Sequence, residues 1–214
     1  MGGIVIFGAG GRAGRAAVAE ARRRGHQVTA VVRDPGRNGF APDDGVRVVA
    51  GDVSDEDAVA RVAAGHDAAI SAVFDPAAAP DALYTGAARA LLGGLTRAGV
   101  KRLLVVGLAS VLPTGDGVAL MDTPGYPQEY RSFYLAHAAG TQALRSAATD
   151  LDWLVVSPAG DFDRGGARTG RYRAAAADPD SRISYADLAV TLIDEVDTPR
   201  HHRVHLGVEA SIAR

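Results

Sequence analysis

The chain has 214 residues, 47% of them hydrophobic, which is enough for a sizeable core in one domain of ordinary length. A formal charge of −2, with the basic residues scattered, leaves no electrostatic footprint for nucleic acid, and the absence of cysteine excludes disulfides and thiolate chemistry. Lys101 is the one lysine, so Schiff-base catalysis and a Walker-type phosphate loop are excluded as well.

In chain order, the apolar run Ile4-Val-Ile-Phe7 breaks into Gly8-Ala9-Gly10-Gly11 and then into an Ala- and Arg-rich helical segment. This is a strand, a tight turn and a helix. Gly8, Gly11 and Gly14 stand at G-x-x-G-x-x-G spacing, in which the first turns the chain, the second lets backbone approach a pyrophosphate and the third lets helix pack on strand. The helix start near Gly11 aims free N–H groups at a dianion. A second strand, Gln27–Val32, follows at the distance a βαβ unit needs. After a polar stretch over 33–45, strands are predicted at 46–50, 67–73, 102–106, 153–156 and 202–208. Helices are predicted at 54–65, with Ser54-Asp-Glu-Asp57 as cap and acidic first turn, and at 80–98, 128–148 and 184–197, the last capped by Ser184-Tyr-Ala-Asp187. Long glycine- and proline-rich segments at 107–127 and 157–183 mark functional or mobile regions, the second with a short hairpin around 168–173. Strand then helix, repeated, predicts an α/β fold: a Rossmann-like, doubly wound parallel sheet with helices on both faces, residues 1–214 forming one domain. The apolar start is too short for a signal-peptide core and no run approaches a membrane span, so a cytoplasmic protein with no membrane partner is expected.

Ligands of such sheets sit outside the carboxyl ends of the strands. The cofactor turn supplies Gly8, Gly10, Gly11, Arg12, Ala13 and Gly14. Arg33, after the second strand, and Arg12 are placed to neutralise a 2′-phosphate, which favours NADPH over NADH; the alternative is two solvated surface arginines. Asp52 and Val53 are placed to bracket an adenine, or Asp52 serves only its turn. Ser71, Ala72 and Val73 offer small side chains beside the ribose and nicotinamide, and Phe74 follows them.

These stretches, together with Ala136-His137, Asp152-Trp153, Ser157-Pro158 and Arg182-Ile-Ser-Tyr185, resemble the atypical short-chain dehydrogenase/reductases of the NAD(P)H-binding group, close to NADH-flavin reductase-like proteins and biliverdin reductase B. The resemblance spans nearly the whole chain. It implies a Rossmann domain with a small C-terminal substrate region, and hydride transfer from NAD(P)H to a flavin or similar acceptor. One departure matters. Short-chain dehydrogenases usually carry Tyr-x-x-x-Lys on the helix after strand five, whereas Phe133 and His137 occupy that spacing here. The phenol is lost and no lysine replaces the imidazole, so ketone–alcohol interconversion and sugar-nucleotide epimerisation are disfavoured, while flavin or quinone reduction needs only positioning. His137 is then a ribose ligand, Ser110 a hydroxyl near the substrate, and Tyr130 and Tyr134 the fallback proton donors, Tyr134 foremost.

Three other constellations carry less. His201, His202 and His205 invite a metal, but 202 and 205 face opposite sides of a strand with no adjacent carboxylate. Asp161 and Asp163 read as turn residues, and Arg22-Arg23-Arg24 as a solvated helix cap. The expectation is an NAD(P)H-dependent reductase of a planar small-molecule acceptor, flavin before quinone, acting as monomer or weak homodimer. The alternative is a regulator that senses NADP(H) without turnover.

Overall fold

Apolar side chains on both faces of a short strand require cover on both sides, and β1 (Gly3–Phe7) shows how this sheet obtains it. Ile4 and Ile6 point to one face and Val5 and Phe7 to the other, each nearly solvent-free. The computed structural model describes residues 2–37, 40, 45–75 and 79–211, so the polar stretch expected at 33–45 falls partly outside the described residues. After β1 come α1 (Arg12–Arg23), β2 (Gln27–Val32), β3 (Val46–Ala50), α2 (Glu56–Ala63), β4 (Ala68–Ser71), α3 (Pro80–Ala98) and β5 (Arg102–Val106). The chain continues through α4 (Arg131–Ser146), β6 (Asp152–Pro158), β7 (Asp161–Asp163), β8 (Tyr172–Ala174), β9 (Arg182–Ser184), α5 (Tyr185–Asp197) and β10 (Val204–Ala210).

The main sheet runs β3-β2-β1-β4-β5-β6-β10-β8, parallel except for the antiparallel β10–β8 pair. This is a Rossmann-like, doubly wound sheet. One core layer packs Ile4, Ile6, Leu104 and Leu154 against Ala17 and Val18 of α1 and Leu188 and Leu192 of α5. The other packs Val5, Phe7, Leu103 and Trp153 against α2, α3 and α4 through Val59, Leu91, Leu95 and Leu144. Because β1 lies between β2 and β4, the order reverses at its end, and a groove opens there.

Local chemistry sets the boundaries. Asp55, not Ser54, caps α2, its carboxylate accepting from the N–H groups of Asp57 and Ala58, because Ser54 is engaged by Asp52. Ser184 caps α5 as its motif predicts, accepting from Asp187 N–H. Helix α4 starts at Arg131 rather than 128, since Gln128 instead donates to the carbonyls of Met121 and Tyr126. No hairpin forms at 168–173. Asp187 accepts from Thr169 N–H (2.9 Å), Gly170 N–H (2.7 Å) and Thr169 Oγ1 (2.7 Å), and β8 pairs with β10 instead. The strands β7 and β9, which no sequence pattern marks, form a separate parallel pair.

The arginine run 22–24 is more than a solvated cap. Arg24 reaches Glu20 (2.8 Å) and Asp194 (2.6 Å), tying α1 to α5, and Arg168 reaches the same Glu20 at 2.9 Å. Burial alone would raise the Glu20 carboxyl, but hydrogen bonds from Arg23, Arg168 and Arg24 hold it well below the usual carboxylate range.

Candidate functional site

At the end of β1 the glycines divide by physical role. Gly8 has φ of +71°, and a Cβ there would lie 2.5 Å from Ala72 O; a Cβ on Gly14 would collide with Gly8 O. Packing therefore demands both. Gly10 and Gly11 are exposed, and a Cβ on Gly11 would meet only Gly8 O, at 3.5 Å, so the fold leaves that space open. Gly11 is the N-cap of α1, has no capping side chain, and the first turn of α1 carries no acidic residue. Uncapped N–H groups beside open space fit a pyrophosphate. Ala13 and Arg12 lie in that first turn, Arg12 exposed.

The turn is held between neighbouring strand ends. Ala9 N–H donates to Val31 O at 3.3 Å, Gly10 faces Val32, and Gly8 touches Ala72 and Val73. Arg33 leaves β2 on one side and Asp75 follows β4 on the other, and the Arg33 guanidinium donates to the Asp75 carboxylate across the top of the turn. Asp52 accepts from Ser54 N–H (2.9 Å) and Ser54 Oγ (2.7 Å), and these bonds, with a smaller contribution from Arg33 nearby, lower its carboxyl. It is a turn residue at the groove's wall. Val53, beside it, is buried in the second core layer and braces the wall from behind.

Beyond Ser71, Ala72 and Val73 the groove turns aromatic. Tyr130, the N-cap residue of α4, and Phe133, Tyr134 and His137 within the helix fall at i, i+3, i+4 and i+7. Phe133 meets Phe74 edge-on at 6.0 Å and Tyr84 of α3 at 5.8 Å. His137 lies 3.7 Å from the Tyr84 ring. Burial, helped by nearby His205, lowers His137 to about 3, so its imidazole is neutral near pH 7. Among the described residues its Nε2 and the Tyr84 hydroxyl are both buried without a partner, and the two side chains line a crevice of about 40 Å³ with Ser71, Val73, Gly107 and Thr141. The two side chains come from α3 and α4 and meet beside the ends of β4 and β5.

Tyr134 faces another direction. Its ring lies 5.5 Å from Tyr126, whose hydroxyl is 2.9 Å from Ser110 Oγ, so Ser110 is engaged with a phenol rather than free. Burial raises the Tyr134 phenol. Tyr130 is 58% exposed at the rim. The sequence reading missed Tyr84 and Tyr126. Tyr84 was findable: it heads the stripe 84, 87/88, 91, 95 by which α3 enters the core, so its hydroxyl had to enter with it.

The demoted constellations resolve too. His202 precedes β10 and sits 2.8 Å from Asp152, His201 2.7 Å from Glu195, and His205 2.7 Å from Ser157 Oγ. Carboxylates do lie beside two of them, because Asp152 and Glu195 come from distant elements, but among the described residues no group of three or more candidate ligands gathers. Asp163 accepts from Gly165 N–H at 3.1 Å, the turn role expected of it.

Comparison with known proteins places the chain in a family. Residues 8–199 match the model of a family described as NAD(P)H-binding. The chain belongs to that NAD(P)H-binding family. It is 36% identical over 206 residues to the uncharacterized protein YwnB of Bacillus subtilis strain 168, covering 92% of this chain and 93% of that one. Among solved structures it resembles a Burkholderia pseudomallei protein provisionally described as exported, with 37% identity, TM-score 0.85 and coverage of 98% of this chain and 100% of that one. It also resembles a Streptococcus pneumoniae protein provisionally described as an NADH-flavin reductase, with 32% identity, TM-score 0.82 and coverage of 99% and 100%. A nicotinamide cofactor follows from membership of this NAD(P)H-binding family, and no described helix is long and apolar enough to cross a membrane.

Proposed function

We propose that the protein is an NADPH-dependent reductase of a planar conjugated acceptor, a flavin first and a quinone second, working in the cytoplasm. The observation that carries this reading is the aromatic wall of Phe74, Phe133 and Tyr84 joined directly, through Val73 and Gly8, to the phosphate-accepting turn. The Streptococcus pneumoniae relative's description as an NADH-flavin reductase supports it.

When bound, the cofactor supplies a hydride. The chain's own residues bind and orient. The open N-terminus of α1 takes the pyrophosphate at Gly10, Gly11 and Ala13, Arg33 and Arg12 lend charge to a 2′-phosphate, and the Nε2 of His137 holds a ribose hydroxyl. Phe133 and Phe74 give a flat ring an apolar face and exclude water from it. With Phe133 where a phenol acid usually stands, the proton that completes reduction of a flavin nitrogen comes from solvent, whereas an alkoxide would need a positioned donor.

The test is oxidation of NADPH followed at steady state with FMN, riboflavin and a soluble quinone, beside a panel of simple ketones. Turnover with the planar acceptors and little with ketones is expected. Tight NADPH binding without reduction of any planar acceptor would sink the proposal.

A further inference from the structure

The strand order forces one ion pair into an unusual place. Segments leaving β2 and β4 flank the segment leaving β1, and the glycine turn lies between them, against Val32 on one side and Ala72 and Val73 on the other. Arg33 is the residue after Val32, and Asp75 is two beyond Val73. Their ion pair therefore bridges the turn that receives the cofactor, from wall to wall. The partners are unequal: the Arg33 side chain is 74% exposed and that of Asp75 is 16% exposed. Arg33 is thus the exposed partner of the pair and Asp75 the mostly covered one.

We infer that Asp75 is a specificity-determining residue of the cofactor site, competing with the 2′-phosphate for Arg33. This rests on the NADPH reading above. A guanidinium that is already paired with one carboxylate, with Asp52 close by as a second, offers a dianion less than a free one would. An incoming 2′-phosphate has to draw Arg33 away from Asp75 and then sit near the carboxylate left behind. A 2′-hydroxyl carries no charge and makes no such demand. NADH affinity is thus nearly indifferent to Asp75, and the ratio of NADPH to NADH affinity is held down by it.

The experiment is calorimetric titration of the full chain with NADP⁺ and NAD⁺, which needs no acceptor and no turnover, for the wild type, Asp75→Asn, Asp75→Ala and Arg33→Met. Both Asp75 variants are expected to tighten NADP⁺ about three- to tenfold while leaving NAD⁺ within about twofold, the range set by partly exposed charge pairs. Arg33→Met is expected to weaken NADP⁺ selectively. If Arg33→Met behaves so but neither Asp75 variant changes the NADP⁺ to NAD⁺ ratio, the competition is overturned and the NADPH reading stands. If Arg33→Met changes neither affinity, Arg33 is no phosphate ligand, and the NADPH reading falls together with this inference.

Discussion

At the scale of single residues, the glycine turn separates what folding needs from what a ligand needs. Gly14→Ala places a methyl against Gly8 O, where backbone cannot yield, and is expected to destabilise the fold by several kcal/mol, as overpacking and backbone displacement do. A Cβ on Gly11 makes only an ordinary contact with Gly8 O, so Gly11→Val should cost no more than the weaker N-cap, about 1 kcal/mol by urea unfolding, while NADPH binding is lost by calorimetry. Unchanged affinity in Gly11→Val would remove the pyrophosphate from this turn. The two substitutions lie three positions apart in one motif, yet one acts on stability and the other on affinity. Only the space around each Cβ distinguishes them.

At the scale of elements, α4 decides the chemistry. Its stripe Tyr130, Phe133, Tyr134 and His137 passes between the crevice of Tyr84 on one side and the Ser110–Tyr126 pair on the other. If reduction relies on positioning, Tyr130→Phe, Tyr134→Phe and Tyr84→Phe should each keep turnover with FMN within about tenfold, because an obligatory acid contributes about 10²–10⁴. His137→Ala should act mainly through a raised KM for NADPH. A hundredfold loss of kcat in any tyrosine variant, with cofactor affinity intact, would make that tyrosine the proton donor. The existence of α4 was legible from sequence, though its start at Arg131 and the contact of Phe133 and His137 with Tyr84 of α3 were not. The buried parallel strands were legible too, since β1, β2 and β5 are continuous apolar runs. The segment 157–183 was not. Gly170, with φ of +75°, signals a local turn, but what fixes that loop is the carboxylate of Asp187, seventeen residues onward, and the Arg168 contact to Glu20. Three-residue strands such as β7 and β9 carry no period of their own. The Arg33–Asp75 pair was hidden for the same reason, joining residues 42 positions apart.

At the scale of the whole molecule, His137, His205 and Glu20 push stability in one direction as pH falls. Burial lowers His137 to about 3, and burial with nearby Arg145 lowers His205 to about 4, against an ordinary value of 6.5. Each is neutral in the folded state and protonated in the unfolded chain below pH 6.5, so the unfolded state binds more protons there. Their contribution is fully present above pH 6.5. It is lost at up to about 1.4 kcal/mol per pH unit for each, down to about pH 3 for His137 and about pH 4 for His205. Glu20, held low by its arginines, adds a further loss only below the ordinary carboxylate value of 4.5. The window between pH 6.5 and 5 therefore isolates the histidines. Urea unfolding of the wild type should lose stability between pH 7 and pH 5, and His137→Phe, which keeps an aromatic ring against Tyr84 and Phe133, should lose about 2 kcal/mol less over the same interval. The sign distinguishes this from ordinary packing effects, which shift the whole curve without changing its slope. An equal loss in wild type and variant would mean that His137 takes up its proton in the folded state near the ordinary value of 6.5, so that the ring beside the crevice becomes a cation only below that pH.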